Sequence, residues 1–184
     1  TPSNSSAASD VYKRQKEYYS RLLKEKEIAI KELESMLGST SENVDPLIYD
    51  LPFSSLKGKL LWPVKGEIIS HAGLNRNSKL KTQTYNMGIE IKAPYGAKVR
   101  AVARGRVVRI KWIRWYGQTL IIKHSEEYYT GFAYLSDILV ELNQEVYPGD
   151  IIAKVGTDQA ESESKLSFMI WKGRKDLNPE EWLK

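Results

Sequence analysis

Chemistry in this chain has few places to start. There are two histidines, His71 and His124, and no cysteine, which excludes thiolate metal sites and disulfides. A catalytic zinc takes three protein ligands and keeps one position open. Neither histidine stands at a ligand spacing, and a set drawn from His71, Glu90 and Asp137 has no spacing signature. Both histidines read as ordinary surface or hydrogen-bonded side chains. Other polar groups fall on alternating segments. In a strand, Lys165, Ser167, Met169 and Trp171 share one face, Phe132 aligns with Tyr134, and Asn86 aligns with Gly88 and Glu90. Together they offer one carboxylate, an amide, an ammonium, a hydroxyl and aromatic surface. Such a set suits an apolar helix or loop anchored on a few buried rings.

Several elements must position these groups. Residues 1–11 are rich in Ser and Ala and read as a disordered or non-native leader. Residues 12–38 predict a coiled-coil-type helix ending at Gly38: Tyr19, Leu23, Lys26, Ile30, Leu33 and Leu37 follow heptad spacing, widened by Leu22, Ala29 and Met36. A helix this short is marginal alone and needs another copy, a further helix or the domain itself as partner. Residues 39–56 read as a linker, with Asp45-Pro46 and Leu51-Pro52 blocking helix, and with Phe53, Leu56 and Leu60 docking it on the domain edge. From Lys57 to Lys184 the pattern is β. Alternation around Val99–Ala103 and Val108–Ile113, a turn at Tyr116-Gly117, a return strand over 118–124, and strands at 131–135, 151–155 and 166–171 predict a sandwich or open barrel.

The net charge of +5 conceals an asymmetry. Residues 57–115 hold fourteen Lys and Arg against Glu67 and Glu90, a net of +12. That half attracts anions over a screening length of about 8 Å: an acidic glycopolymer, phospholipid headgroups, nucleic acid or an acidic protein. Nucleic-acid binding has charge alone in its favour and no motif, so none is expected. No apolar run approaches the ~20 residues that span a bilayer, and a signal peptide would have to lie upstream.

Ordered pieces then suggest a family. Leu60-Leu61-Trp62-Pro63-Val64-Lys65-Gly66 and Ser70-His71-Ala72-Gly73 precede the run from Met87-Gly88-Ile89-Glu90 to Ala93-Pro94-Tyr95-Gly96 and Val99. Ala101–Val107, Tyr116-Gly117, Ile121–His124, Pro148-Gly149-Asp150, Asn178-Pro179 and Trp182 follow in order. From Leu56 to Leu183 the chain resembles the lysostaphin/LytM family of zinc endopeptidases, and within it the EnvC type, in which a coiled coil precedes a LytM domain that activates cell-wall amidases. The resemblance implies a mainly β, LytM-like antiparallel sandwich or open barrel behind an N-terminal helix. It also implies a lost metal site. Asn86 and Glu90 stand where the family has His and Asp, Lys165-Leu166-Ser167 stands for H-x-H, and Tyr134 replaces a catalytic His.

The resemblance implies no enzyme, no cofactor, no metal and no catalytic residue. It implies a partner-binding cleft lined by Asn86, Glu90, Tyr116, Phe132, Tyr134, Lys165, Ser167, Met169 and Trp171. The expected partner is a cell-wall amidase or related hydrolase, in division or envelope remodelling and in a periplasmic or other extracytoplasmic place. Peptidoglycan or an acidic envelope polymer is a further expected partner, and self-association through 12–38 another. The alternatives are a peptidoglycan- or glycan-binding module and a residual zinc endopeptidase with unusual ligands. A lipoyl-type carrier lacks its lysine in a hairpin tip. Tyr134→Ala and Lys165→Glu are expected to abolish activation at nearly unchanged stability.

Overall fold

The alternating segments assemble into one curled antiparallel sheet. A computed structural model describes residues 4–38, 51–77, 82–158 and 163–184. Its strands are β1 (Glu67–Ser70), β2 (Gly73–Asn77), β3 (Thr82–Asn86), β4 (Gly88–Lys92), β5 (Lys98–Arg100) and β6 (Gly105–Ile113). They continue with β7 (Gly117–Lys123), β8 (Tyr128–Ile138), β9 (Glu145–Val146), β10 (Ile151–Thr157), β11 (Ser164–Lys172) and β12 (Lys175–Leu177). The sheet order is β1-β4-β11-β10-β8-β7-β6-β9, with β5 beside β10, β12 and β8 beside β11, and β2–β3 a separate hairpin. Register shifts in β6, β7 and β10 act as bulges, which bend strands and curl the sheet. The result is the mainly β half-barrel with an N-terminal helix that the sequence predicts.

The curl gives the sheet two apolar faces. Along β11, Leu166, Phe168 and Ile170 enter the inner core with Ile89, Ile91, Val155 and Phe132, while Met169 and Trp171 point the other way. That is the period of two expected of a strand buried on both sides. Along β8 the alternation fails once. Phe132 faces inward and Ala133 outward, yet Tyr134 is also outward. The cause is its left-handed backbone, φ 59°, which turns the side chain back onto the face of Ala133. Phe132 is therefore no cleft residue. It is fully buried in the core, 5.4 Å from the Phe168 ring.

The helix α1 covers Asn4–Gly38 and so begins upstream of the predicted start. Between Asn4 and Leu37 no proline or glycine interrupts it, and Ala and Ser cost little in a helix. Its docked face is Ala29, Leu33 and Met36, with Ile30 alongside. The docked face thus joins two residues of the predicted seam, Ile30 and Leu33, to two of its widening side, Ala29 and Met36; the Tyr19 and Leu37 side chains fall outside the described set. Linker residues 39–50, with Asp45-Pro46, also fall outside the described residues. Beyond them, Phe53 is buried in a 3-10 turn, 4.9 Å from the Tyr128 ring and 4.6 Å from His124, and docks the linker as expected.

His124 is wholly inside. Its Nδ1–H donates to the Arg104 carbonyl at 2.7 Å, which leaves Nε2 to accept from the Thr130 hydroxyl at 2.8 Å. Burial lowers its pKa from 6.5 to about 4, against the backbone hydrogen bond, which raises it. Below pH 6.5 the unfolded chain gains a proton that the folded chain refuses, so stability falls as pH drops from about 6.5 towards about 4. The loss reaches about 3 kcal/mol. Urea denaturation across that window will show this slope in the native chain and a flatter one in His124→Gln; an equal slope in both would remove His124 as the cause.

Candidate functional site

Three central strands bring the singled-out residues together. β4 and β8 flank β11, with Ser167 opposite Glu90 on one side and Ala133 on the other. Tyr134 follows Ala133, and its backbone N–H donates to the Tyr116 carbonyl at 2.7 Å. The two tyrosine rings stack at 5.8 Å. Burial, reinforced by the Glu90 carboxylate, raises the Tyr116 pKa well above the usual phenol range; the hydroxyl stays protonated. Asn86 ends β3, where its amide donates to Ser70 Oγ at 2.5 Å.

Lys165 sits at the centre of this group. Only 2% of its side chain is exposed, and Nζ lies 3.1 Å from Glu90 Oε2 and 3.0 Å from Asp158 Oδ2. The ammonium also lies 5.3 Å from the centroid of the Tyr134 ring. A buried cation needs such company. Asp158, itself 3% exposed, was missed in the sequence. The sequence signal is partial: Lys165 interrupts an apolar strand and so calls for a carboxylate, while its partner is set by the β10–β11 register, in which Gly156 pairs with Lys165. The acid two residues beyond Gly156 is the one that can fold back onto it. Lys165 is accordingly not offered to a partner, and Lys165→Glu cannot leave stability unchanged.

Beside this polar knot lies an apolar floor of Met87, Tyr116, Tyr129, Ala133, Tyr134, Met169 and Trp171, and α1 lies on it through Ala29, Leu33 and Met36. A Cβ on Gly131 would come within 2.5 Å of the Trp171 ring, so glycine at this point of β8 is what leaves room for the indole. Leu33 and Trp171 are both fully buried. Arg114 reaches Glu25 at 3.4 Å and Lys111 reaches Glu32 at 2.5 Å, clamping the helix over the hairpin of β6 and β7. The fit leaves a flaw: Trp171 Nε1 is buried with no hydrogen-bond partner among the described residues. Of the predicted cleft residues, then, Tyr116, Tyr134, Met169 and Trp171 share the covered face, Glu90 and Lys165 form the knot with Ser167 beside Glu90, and Phe132 lies in the core.

Residues 84–179 match the model of peptidase family M23. The chain belongs to this family. The chain is 29% identical over 127 residues to the murein hydrolase activator EnvC of Escherichia coli (strain K12), covering 69% of this chain and 29% of that protein. It is 31% identical over 148 residues to the murein hydrolase activator NlpD of Salmonella dublin, covering 80% of this chain and 36% of that protein. The chain thus spans about a third of the length of these curated relatives. A crystal structure of a zinc-containing peptidase from Vibrio cholerae shares the fold, with a TM-score of 0.58 at 24% identity over 66% of this chain and 39% of that one.

The side chains of this M23 domain do not fit the metal that a zinc peptidase holds. Zinc in such sites takes imidazole, thiolate or carboxylate. Here the site supplies two carboxylates, Glu90 and Asp158, already bridged by an ammonium. Asn86 and Ser167 add an amide and a hydroxyl, both weak donors, and no imidazole faces the group. His71 lies elsewhere, exposed and 2.9 Å from Glu180, and His124 is held by Arg104 and Thr130. Among the described residues no cluster of three or more His, Cys, Asp or Glu has a metal-binding arrangement.

Proposed function

We propose that this M23 domain is a non-catalytic activator of a cell-wall hydrolase, an amidase by preference, acting outside the cytoplasm during division or envelope remodelling. The observation that carries the reading is Lys165: a fixed ammonium between Glu90 and Asp158, at a position where the resemblance to zinc endopeptidases implies an imidazole. With Tyr134 in place of the family's catalytic imidazole, a neutral-pH general base is absent at that position as well. Similarity to EnvC and NlpD, whose names describe murein hydrolase activators, supports the same reading.

The docking surface is the apolar floor of Tyr116, Tyr134, Met169 and Trp171. Activation requires that the partner's active state bind this floor better than its inactive state does. The helix α1 lies on the floor, so a partner competes with it. An unpaired indole N–H under α1 costs on the order of 1–3 kcal/mol, and a partner segment that offers Trp171 an acceptor gains that much over the helix.

The test is dye release from labelled peptidoglycan sacculi. The chain alone, with added zinc, releases nothing above buffer; with a purified cell-wall amidase it raises that enzyme's rate. Zinc-dependent release by the chain alone, abolished by a chelator, would restore the peptidase reading. No change in the rate of any amidase tried would remove the activator reading.

A further inference from the structure

A cavity of about 930 Å³ lies away from the covered floor, between the segment Leu61–Gly66, the turn Pro94–Lys98 and the residues Arg100 and Gly149. None of its lining residues belongs to the cluster under α1. Its volume is within the usual range of ligand sites. One wall is Trp62, 37% exposed, whose Nε1–H is already given to the Lys184 carbonyl at 2.7 Å. The indole is thus a fixed apolar surface with no donor left. Leu61 beside it is 54% exposed.

The polar side chains of the lining are Lys65, Lys98 and Arg100. In the same half of the chain, Lys92, Arg104, Lys111 and Arg114 are paired with carboxylates. Among the described residues Lys65, Lys98 and Arg100 have no such pair. Arg100 is oriented nonetheless: its Nη1 donates to the Gly149 carbonyl at 2.6 Å, and its backbone N–H donates to the Pro63 carbonyl at 2.8 Å. A guanidinium held this way is ready for a carboxylate.

We infer that this cavity binds an acidic peptide segment of a partner protein, with apolar side chains against Leu61 and Trp62 and carboxylates on Lys65, Lys98 and Arg100. The lining has no side-chain acceptor, neither carboxylate, amide nor hydroxyl. An acidic sugar chain would answer the three cations but would set hydroxyl groups against the exposed apolar surface of Leu61 and Trp62, whereas a peptide carries carboxylates and apolar side chains together and answers both. The concave shape disfavours a membrane surface, which meets a protein on flat or protruding faces. This site is independent of the cleft and of the activator reading.

The probe is a short fluorescein-labelled peptide in which leucine and phenylalanine alternate with glutamate, followed by anisotropy with the full chain at low and physiological salt. Binding is expected to weaken at least about tenfold in Lys98→Glu/Arg100→Glu, and also in Trp62→Ala. The charge-matched control Arg174→Glu/Lys175→Glu, on the hairpin of β11 and β12, binds as the native chain does. A peptide with glutamine for glutamate, and one with serine for the apolar residues, both bind more weakly. Thermal melting shows whether each variant is folded, and the two cavity variants are judged separately. Peptide binding that survives both, or that falls equally in the control, would overturn the site. So would polygalacturonate or phosphatidylglycerol vesicles that outcompete the peptide and depend on Lys98 and Arg100.

Discussion

Lys165→Met is expected to lose about 3–5 kcal/mol of stability, because removing one partner of a buried ion pair leaves the others uncompensated. Here the residue left behind is a pair of carboxylates, Glu90 and Asp158, that now face each other across the vacated space, with Asp158 only 3% exposed. Methionine matches the lysine stem in length, so packing against Tyr134 is largely kept and the loss is electrostatic. At about 2–4 °C per kcal/mol for a chain of this size, the melting temperature falls by roughly 10 °C. Neutralising the orphaned acids should reverse it: Lys165→Met combined with Glu90→Gln and Asp158→Asn recovers most of the loss, since a buried ion cluster replaced as a unit is often neutral or better. Urea denaturation of the native chain, the single variant and the triple variant decides the matter. A single Lys165→Met variant within about 1 kcal/mol of the native chain would mean that water, rather than Lys165, neutralises the acids. Lys165→Glu, which places a third carboxylate in the same spot, should be worse still.

That variant marks where the sequence stopped being readable. The period of two along β11 placed Lys165, Ser167, Met169 and Trp171 on one face, and they are there. Order of motifs was enough for the fold, because strand spacing and turn residues are local. Three things were not local. The left-handed backbone at Tyr134 depends on the Tyr116 turn that it bonds to across β7 and β8, so Phe132 was placed on the wrong face by an alternation that breaks one residue later. Asp158 lies one residue past the end of β10, and only the β10–β11 register brings it to Lys165. The helix was legible as a helix, but its partner was not: heptad spacing says that an apolar stripe needs a cover, and the row Ala29, Leu33, Met36 became the docked one because the sheet presents Met87, Met169 and Trp171 opposite it. The basic half was legible as charge; that Lys65, Lys98 and Arg100 share a cavity with Trp62 required the fold.

Leu33→Asp is expected to release α1 from the sheet and raise activation of the partner hydrolase. Leu33 is fully buried in the cluster with Met169 and Trp171, and a carboxylate there loses its hydration without gaining a partner. Loss of the leucine's burial alone is about 2–3 kcal/mol, and the two helix clamps are too exposed to hold it: Arg114 and Lys111 are 68% and 54% exposed, and surface pairs contribute about 0–1 kcal/mol each. A shift of about 3 kcal/mol changes the ratio of covered to open floor by roughly 100-fold. If the native chain is mostly covered, its apparent affinity for a partner is reduced by the open fraction, and the variant gains back most of that factor. The sheet itself should persist, because Phe132, Phe168 and the rest of the inner core lie on the other face. Limited trypsin digestion reads the release directly at Lys24, Lys26 and Lys31, and the sacculus assay reads its consequence. Faster helix cleavage with no gain in activation would show that the floor under α1 is a structural contact and that the partner docks elsewhere; a gain that Trp171→Ala then abolishes in the released chain would tie it to that floor.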